Sequence, residues 1–411
     1  MDSLIVFSHL RWDCAWRRPQ HLMSRLSRRW QVVFIEEPVP GSPRAELEVF
    51  EPMPGVQVWR PHVPGDANGF HDDHLPVLRQ LLSAGVRERS VSNYWLWFYT
   101  PMALPLAADL RPRGIVYDCM EELALLADAP RQLAQRENAL FKKADMVFAG
   151  GPGIYKAKRS RHPDVHCFPS SVDAQHFAQQ AGEHPLHHDI PRPRLGYCGA
   201  IDGRVNLSLV DAIAKARPEW NIVMVGELAL GVSDKLPRRD NIHWLGRQSY
   251  ADLPRFIQGW DVCLLPYALN DATRLISPAK TLEYMACGKP AVSTSIRDVV
   301  EPYGHVVRVA DTPEGFVADI EMLLARSQEE QQAHARELAT IVARTSWDGT
   351  ANSMAQLIAQ VDELAESAHA VTPQPAVDER LAVPLHLADA SQAVAQVARA
   401  QAAGSPSAAA G

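Results

Sequence analysis

The chain contains no pattern of paired cysteines, no long apolar run and no excess of basic residues. Its six cysteines include no C-x-x-C spacing, which argues against a disulfide framework and indicates a reducing compartment. No stretch approaches the roughly 18 apolar residues that a transmembrane helix needs. Acidic residues (48) outnumber basic residues (41), and the net charge is −7, so nucleic acid is not the expected partner.

The first residues also lack the features of a secretory signal. No basic segment precedes the short apolar run of "MDSLIVFSHLRWD", and no cleavage-like site follows it. We therefore expect these residues to form a first β-strand. The expected location is cytoplasmic, with peripheral attachment to the inner membrane left open.

Short apolar runs alternate with segments of helical period along most of the chain, which is 46% hydrophobic and 22% charged. Runs that are apolar throughout and separated by helices are typical of parallel sheets covered on both faces. The predicted strands are residues 4–8, 32–37, 56–59, 94–98, 114–118, 145–150, 165–169, 194–199, 221–226, 241–246, 260–266, 291–295 and 305–310. This pattern predicts an α/β chain with two consecutive doubly wound, Rossmann-like domains.

A polar, proline- and histidine-rich stretch interrupts the alternation and is predicted to be the interdomain linker. The C-terminal tail is dominated by Ala, Pro, Ser and Gln, with too little bulk to form a core, and is expected to be disordered. The predicted organisation is an N-terminal domain, a linker, a C-terminal domain, a C-terminal helix and the tail, at residues 1–181, 182–193, 194–345, 346–368 and 369–411.

The segment "SPAKTLEYMACGKPAVS" follows a buried strand and a long loop. Ser277 is a good N-cap, and Pro278 is a good first helical residue. Gly288 suits the helix C-terminus, and Pro290 prevents continuation. These signals predict a short helix whose first turn contains Lys280.

A lysine in a first turn opposes the helix dipole unless an anion lies beside it, and phosphate is the usual ligand at such an end. Glu283 follows at i+3 on the same face, where a carboxylate can accept hydrogen bonds from a ribose diol. The pair is thus consistent with half of a nucleoside-diphosphate site. The alternative is a surface ion pair on a capped helix.

The segment 277–293 resembles the donor-site signature of the retaining GT-B glycosyltransferases, near glycosyltransferase family 4. Further segments resemble a bacterial branch of these enzymes that is associated with exopolysaccharide and cell-envelope sugars. These segments are "FSHLRWDCAWRRPQHLMSRLSRRWQVVFIEEP", "VYDCMEELALLADAP", "FPSSVDAQHF" and "GYCGAIDGRVNLSLV". The resemblance covers roughly residues 1–365 and leaves out the tail.

This resemblance implies a GT-B fold with a C-terminal helix that returns to the N-terminal domain. It implies a hexosyltransferase whose C-terminal domain binds a nucleotide-sugar donor and whose N-terminal domain binds the acceptor, with retention and without a metal. Glu283 matches the ribose-binding glutamate. Lys280 and Ser277 fall beside the phosphates, and Arg204 falls near a phosphate-binding basic residue.

One position departs from the family pattern. Many relatives carry a second glutamate, touching the transferred sugar, eight residues before the ribose glutamate. Leu275 occupies that position here, and Asp271 or Asn270 in the preceding loop is a candidate substitute.

Candidate catalytic residues follow two predicted strands of the N-terminal domain. His9 comes after the first strand, at an edge where parallel sheets bind ligands. Asp118 ends a later strand, and Glu121 and Glu122 follow it. This cluster suits an acceptor hydroxyl or an oxocarbenium-like transition state. The alternative is that Asp118 caps a helix whose first turn holds the two glutamates.

A group of arginines and tryptophans near the N-terminus suggests contact with an anionic membrane surface. Arg25, Arg28 and Arg29 are the residues that would test it. The alternative is a solvated face together with arginines that bind phosphate in a cleft.

The sequence therefore favours a glycosyltransferase that moves a sugar from a nucleoside-diphosphate donor to a glycan or lipid-linked acceptor. UDP or GDP is the expected nucleotide, and neither a cofactor nor a metal is expected. Two alternatives remain: a nucleotide-sugar epimerase on the same fold, and a non-catalytic scaffold or regulator that binds nucleotide sugars.

Overall fold

The structure is a computed structural model that describes residues 2–14, 16–125, 129–179 and 182–371. The chain forms two compact units, Met1–Ile358 and Ala359–Gly411. Both sheets and the candidate site belong to the first unit. The predicted disordered tail lies outside the described residues from position 372 onward.

The N-terminal sheet has eight strands in the order β3-β4-β2-β1-β5-β6-β7-β8. Its strands are β1 Ser3–Ser8, β2 Gln31–Glu36, β3 Glu46–Met53, β4 Val56–His62, β5 Tyr94–Phe98, β6 Ile115–Cys119, β7 Met146–Ala149 and β8 Val165–Cys167. The helices that accompany it are α1 Arg18–Leu26, α2 Leu75–Glu88, α3 Leu133–Lys143 and α4 Pro152–Lys158. The short helix α5 Ala174–Phe177 follows and packs in the core of the second sheet.

The central strands of this sheet are apolar along their whole length because both faces are covered. Every residue of β1 and β5 is buried, as expected for parallel strands between two layers of helices. Phe7 and Phe98 stack at 4.9 Å across this pair. The core is therefore densest at the centre of the sheet, which holds the loops after β1 and β6 in place.

The second sheet has six strands in the order β11-β10-β9-β12-β13-β14. Its strands are β9 Arg194–Cys198, β10 Asn221–Val225, β11 Ile242–Gly246, β12 Val262–Leu265, β13 Ala291–Ser293 and β14 Arg308–Val309. Its helices and the following ones are α6 Leu207–Ala216, α7 Leu253–Gln258, α8 Ala279–Ala286, α9 Arg297–Tyr303, α10 Pro313–Leu324, α11 Gln328–Val342 and α12 Trp347–Val371.

The strand order reverses direction once in each sheet. β1 lies between β2 and β5, and β9 lies between β10 and β12. Crevices form at the carboxyl ends of strands at such switch points, and ligands bind there. Both switch points belong to the cleft described below.

The predicted alternation of parallel strands and helices is confirmed, with one exception. Every strand pair of the described residues is parallel except β3–β4, which is antiparallel. β3 is absent from the predicted strands because it is an edge strand. No residue in it is fully buried, so it lacks the apolar run that marks the other strands.

The C-terminal helix returns to the N-terminal sheet, as expected. Trp347 at the start of α12 stacks on His21 of α1, with ring centroids 4.9 Å apart. Asp348 binds both Arg25 and Arg28 of the α1 region at 2.9 Å. The beginning of α12 is therefore tied to the N-terminal sheet by an aromatic contact and two ion pairs.

Candidate functional site

A cleft with a cavity volume of about 320 Å³ separates the carboxyl edges of the two sheets. Its size lies within the usual range for small-molecule sites. One wall consists of the start of α1 and the loops after β6, β7 and β8. The other consists of the loops after β9, β10 and β11 and the start of α8.

Two glycines keep the wall of the second sheet free of side chains. Gly199 follows β9 with φ +154°, and Gly226 follows β10 with φ +159°. A Cβ atom on Gly226 would lie 1.7 Å from the carbonyl oxygen of Gly199. These strand ends thus require glycine, which allows the two loops to pack backbone against backbone at the wall of the cleft.

Helix α8 begins one residue later than predicted. Pro278, not Ser277, is the N-cap, and no side chain caps the helix. Pro278 has ψ 111° and is extended, which places Ser277 before the cap. The predicted end is confirmed, because Gly288 adopts φ +67° and its N–H donates to the Met285 carbonyl. The uncapped start of α8 faces the cleft.

Lys280 and Glu283 form the ion pair that their spacing predicts. Lys280 Nζ lies 2.8 Å from Glu283 Oε2 and 3.1 Å from Oε1. Both residues line the cleft, and Glu283 is 8% exposed. Burial alone would lower the pKa of Lys280, but the adjacent Glu283 carboxylate outweighs it and raises that pKa above its ordinary value. The lysine therefore stays charged in the cleft.

Arg204 lies in the same cleft, in the loop after β9. Its guanidinium binds Asp202, with Nη2 at 2.6 Å from Oδ2. The hydrogen bond to Asp202 raises the pKa of Arg204 above its ordinary value. The Arg204 carbonyl accepts from the Ala268 N–H at 2.8 Å, which fixes the loop after β9 against the loop after β12.

The loop before α8 does not bring Asp271 to the cleft. Asp271 is exposed and is not among the residues that line the cavity. Its neighbour Asn270 donates to the Gly203 carbonyl at 3.4 Å. Leu275 packs against the hydrophobic core of the N-terminal sheet. The sugar-contacting role considered for Asp271 therefore stays a prediction without a contact that supports it.

The start of α1 supplies two arginines to the opposite wall, Arg17 and Arg18. Arg18 binds Asp118 at 2.9 Å and donates to the Phe168 carbonyl at 2.7 Å. Asp118 is fully buried at the end of β6 and does not cap a helix. Burial raises the pKa of Asp118, although the Arg18 guanidinium opposes this effect. A catalytic role of Asp118 stays a prediction, and its observed contact is to Arg18.

Glu121 is a carboxylate that reaches the cavity from this wall. Its Oε1 lies 3.4 Å from His9 Nε2. Burial would raise the pKa of Glu121, but the contact with His9 and the charges of Arg204 and Arg17 lower it below the ordinary value. His9 itself does not line the cavity. The structure thus places His9 behind Glu121, and its catalytic role stays a prediction.

Aromatic residues that the sequence analysis did not select also line the cleft. Trp16 and Tyr250 come from opposite walls and stack with centroids 6.3 Å apart. His21 is 5% exposed, and its pKa is lowered to about 3, mainly by burial. Their position in the sequence could have identified them, because Trp16 and His21 follow β1 at the carboxyl edge of the sheet.

The arginines considered for membrane contact are bound within the protein. Arg25 and Arg28 pair with Asp348, and Arg29 donates to Asn352 at 3.1 Å. This arrangement favours the alternative of a solvated face, and membrane contact stays a prediction. Over the described ranges, no helix is long and apolar enough to cross a membrane.

The cleft combines several cations with an uncapped helix start, although the whole chain is acidic. Arg17, Arg204, Arg247 and Lys280 line it. Such a site suits an anionic ligand that carries more than one charge. In the part of the chain that the structure describes, no group of three or more His, Cys, Asp or Glu side chains is arranged to hold a metal ion.

Comparison with solved structures defines the fold. Sucrose-phosphate synthase from Thermosynechococcus elongatus matches with a TM-score of 0.68 and 14% identity, covering 89% of this chain and 100% of that one. HepE of Anabaena, solved with UDP and glucose, matches with a TM-score of 0.64 and 13% identity, covering 87% and 100%. These neighbours are GT-B glycosyltransferases, and this chain has the same two-domain α/β fold. At these identities the likeness shows the fold alone.

Two comparisons of sequence agree with the fold. Residues 192–326 match the family described as Glycosyl transferases group 1, and this segment carries Arg204, Lys280 and Glu283. Over 272 residues the chain is 24% identical to a protein of Bacillus subtilis (strain 168), covering 61% of this chain and 68% of that protein. The relative's name provisionally assigns it as the teichuronic acid biosynthesis glycosyltransferase TuaH. Family match, relative and fold agree on the glycosyltransferase class.

Proposed function

We propose that this protein transfers a sugar from a nucleoside diphosphate to a glycan or lipid-linked acceptor in cell-envelope polysaccharide synthesis. The glycosyltransferase class has the support of the family match and the fold. The cell-envelope context has the support of the Bacillus subtilis relative, whose name refers to teichuronic acid. A nucleotide donor has the support of HepE, which was solved with UDP.

The observation that carries the proposal is the Lys280–Glu283 pair at the open start of α8. A diphosphate beside this start would accept hydrogen bonds from free backbone N–H groups and face the charge of Lys280. Glu283 is nearly buried, so its carboxylate is held in a fixed position to accept from a ribose diol. Arg204 lies in the same cleft and adds a second cation.

The chemistry proposed for this site is metal-independent transfer with retention. Neutralisation of a diphosphate requires positive charge, and Lys280, Arg204 and Arg17 supply it from both walls. Retention is supported by the resemblance to retaining enzymes. It is also supported by a structural neighbour, trehalose-6-phosphate synthase, whose description refers to glycosyl transfer with retention.

Calorimetric titration with UDP, GDP, ADP and dTDP tests the donor site. We expect one nucleotide to bind to the parent protein, and we expect Glu283→Ala and Glu283→Gln to weaken it at least about tenfold, because a hydrogen bond to a charged group contributes about 1.5–3 kcal/mol. Asp319→Asn is the matched control, since Asp319 is a nearly buried carboxylate outside the cleft. If the parent binds none of the four nucleotides, the proposal is wrong.

A transfer assay separates the enzyme from a scaffold. Leu275 packs into the core of the N-terminal sheet, at the position where many relatives carry a sugar-contacting glutamate, and this observation favours a binding protein without turnover. Incubation of the matching nucleotide sugar with cell-envelope glycan, followed by NMR of the new anomeric centre, decides between them. Nucleotide binding without any transfer would support the scaffold.

A further inference from the structure

The glycine turn after β7, residues 150–153, contacts the second sheet's side of the molecule. The Gly153 N–H donates to Asp298 Oδ1 at 2.9 Å. Gly153 lies in the first turn of α4, where an N–H has no partner within the helix. Asp298, in α9 beside the second sheet, is only 3% exposed. A buried carboxylate in a helix of the second sheet therefore accepts a hydrogen bond from the backbone of a helix of the first.

Glycine is required in this turn because of the close approach. A Cβ atom on Gly151 would lie 2.3 Å from Asp298 Oδ2 and 2.7 Å from Ser277 Cβ. Gly151 has φ 177°, an extended conformation that any residue adopts, so space and not backbone strain demands the glycine. The two sheets are thus in direct contact at Ser277, two residues before α8 begins.

Ser277 and its neighbour make further contacts with the N-terminal side. Ser170 Oγ donates to the Ser277 carbonyl at 3.3 Å. Leu275 lies at van der Waals distance from the position of a Cβ on Gly153. At the exposed margin, Lys156 Nζ binds both carboxylate oxygens of Glu301, at 2.9 and 3.1 Å. Residues of the N-terminal side therefore contact the segment before α8, although that segment belongs to the second sheet.

We infer that Asp298 is a positioning residue, which holds the entry of α8 against the glycine turn and thereby sets where Lys280 and Glu283 lie in the cleft. The consequence for nucleotide binding rests on the proposed function. The contact between Asp298 and Gly153 does not depend on the proposed function. Asp298 lies outside the cavity and touches no reacting group.

Protonation of Asp298 is coupled to this contact. Burial raises its pKa to about 6, the Gly153 N–H opposes this effect, and Glu301 adds to it. The charged or titratable groups that face it are Arg297, Glu301, Cys167 and Tyr303. Ser277 also hydrogen-bonds it and lowers its pKa, and Lys156 binds Glu301 beside it. An Asp exposed by opening of the contact would return to its ordinary pKa of 3.8. Closing therefore takes up a proton, and the contact weakens as pH rises from about 4 to about 6.

Hydrogen exchange at the Gly153 amide tests the contact without any ligand. Pro152 has no amide hydrogen, so a short peptide that includes it reports mainly on the amide of Gly153 and the few residues beside it. Relative to the parent, we expect Asp298→Ala to lower protection at Gly153 at least about tenfold, since a hydrogen bond to a charged group is lost. Asp298→Asn keeps an accepting oxygen and should retain most of the protection. Asp319→Asn changes a nearly buried carboxylate of α10, beside the same sheet, and should leave protection at Gly153 unchanged.

The pH dependence separates positioning from simple packing. After correction for intrinsic exchange, parent protection should be about tenfold higher at pH 5 than at pH 7, given a closed-state pKa near 6. In Asp298→Asn the ratio should be near one. A parent ratio near one would overturn the coupling to a proton, and equal protection in Asp298→Ala and the parent would overturn the contact.

Nucleotide titration then tests the consequence for the site. We expect Asp298→Ala and Gly151→Ala to weaken binding about tenfold, while Asp298→Asn stays within about twofold of the parent. Unchanged affinity in Asp298→Ala despite lost protection overturns the positioning role. If the parent binds no nucleotide, the proposed function fails, and the exchange data still decide whether the contact exists.

Discussion

Two ion pairs of nearly equal length border the same cleft from opposite walls. Arg18 and Asp118 lie 2.9 Å apart with side chains 6% and 0% exposed. Lys280 and Glu283 lie 2.8 Å apart with side chains 24% and 10% exposed. The two ion pairs have nearly the same length, but they differ in how exposed their side chains are.

The first pair is enclosed by protein and the second remains accessible to a ligand. Removing one member of a buried pair leaves a desolvated charge, which costs several kcal/mol. In the second pair the Lys280 side chain is 24% exposed, so part of its charge remains open to a ligand. Asp118 therefore supports the wall on which Arg18 lies, whereas Lys280 and Glu283 line the cavity itself.

The largest effect should come from Asp118→Asn. The change leaves Arg18 buried without its counter-charge, so we expect the free energy of unfolding to fall by about 3–5 kcal/mol, measured by urea denaturation. Asp109→Asn, which breaks an exposed pair with Arg79, should cost less than about 1 kcal/mol. Unchanged stability with lost turnover would instead assign Asp118 to catalysis and remove the contrast between the two walls.

A second effect concerns the charge state of the N-terminal wall. The pKa of His21 is lowered to about 3, so between pH 6.5 and 3 the unfolded chain binds a proton that the folded protein excludes. Stability should therefore fall with decreasing pH in this window, by about 1.4 kcal/mol for each pH unit. His21→Phe keeps the stacking on Trp347 and should remove this component from urea-denaturation curves.

The control for this prediction is His305→Asn, a change at an exposed histidine. It should leave the pH dependence of stability as it is in the parent. Equal slopes in the parent and in His21→Phe would show that His21 binds its proton equally in the folded and unfolded chain, and the lowered pKa would be wrong.

On the C-terminal wall, Lys280→Gln should affect binding more than stability. We expect about tenfold weaker binding of a nucleoside diphosphate, equivalent to about 1.4 kcal/mol, and little change for the nucleoside, which lacks the phosphates. Lys215→Gln, at an exposed lysine of α6, is the control. Equal losses for nucleotide and nucleoside in calorimetry would place Lys280 away from the phosphates.

The smallest effect should come from Asp348, which pairs with Arg25 and Arg28 while 50% exposed. Asp348→Asn should lower the free energy of unfolding by about 0.5–1 kcal/mol, and less at high salt. Its pKa is lowered in the folded protein, chiefly because hydrogen bonds from Arg25 and Arg28 outweigh burial. The stabilisation is therefore present above pH 3.8 and is lost as pH falls through the lowered pKa.

Local spacing explains which parts of the site could be predicted. The i,i+3 relation brings Lys280 and Glu283 together in any helix, and Gly288 marks the end of α8 from the sequence alone. The pairing of Arg18 with Asp118 joins positions 100 residues apart, so no local pattern reveals it.

Two further differences have local physical causes. The start of α8 differs from the prediction because Pro278 is compatible with both a helical and an extended ψ, and it is extended here. β3 was missed because an edge strand needs no continuous apolar run. The parallel strands were predictable because burial on both faces leaves a run of apolar residues in each.

The return of α12 to α1 has a geometric consequence. The chain passes from the first sheet to the second between Cys167 and Arg194, and it passes back between Val342 and Trp347. The two sheets are therefore joined at two separate points along the chain. Two chain crossings instead of one limit how far the two sheets can separate or slide past each other.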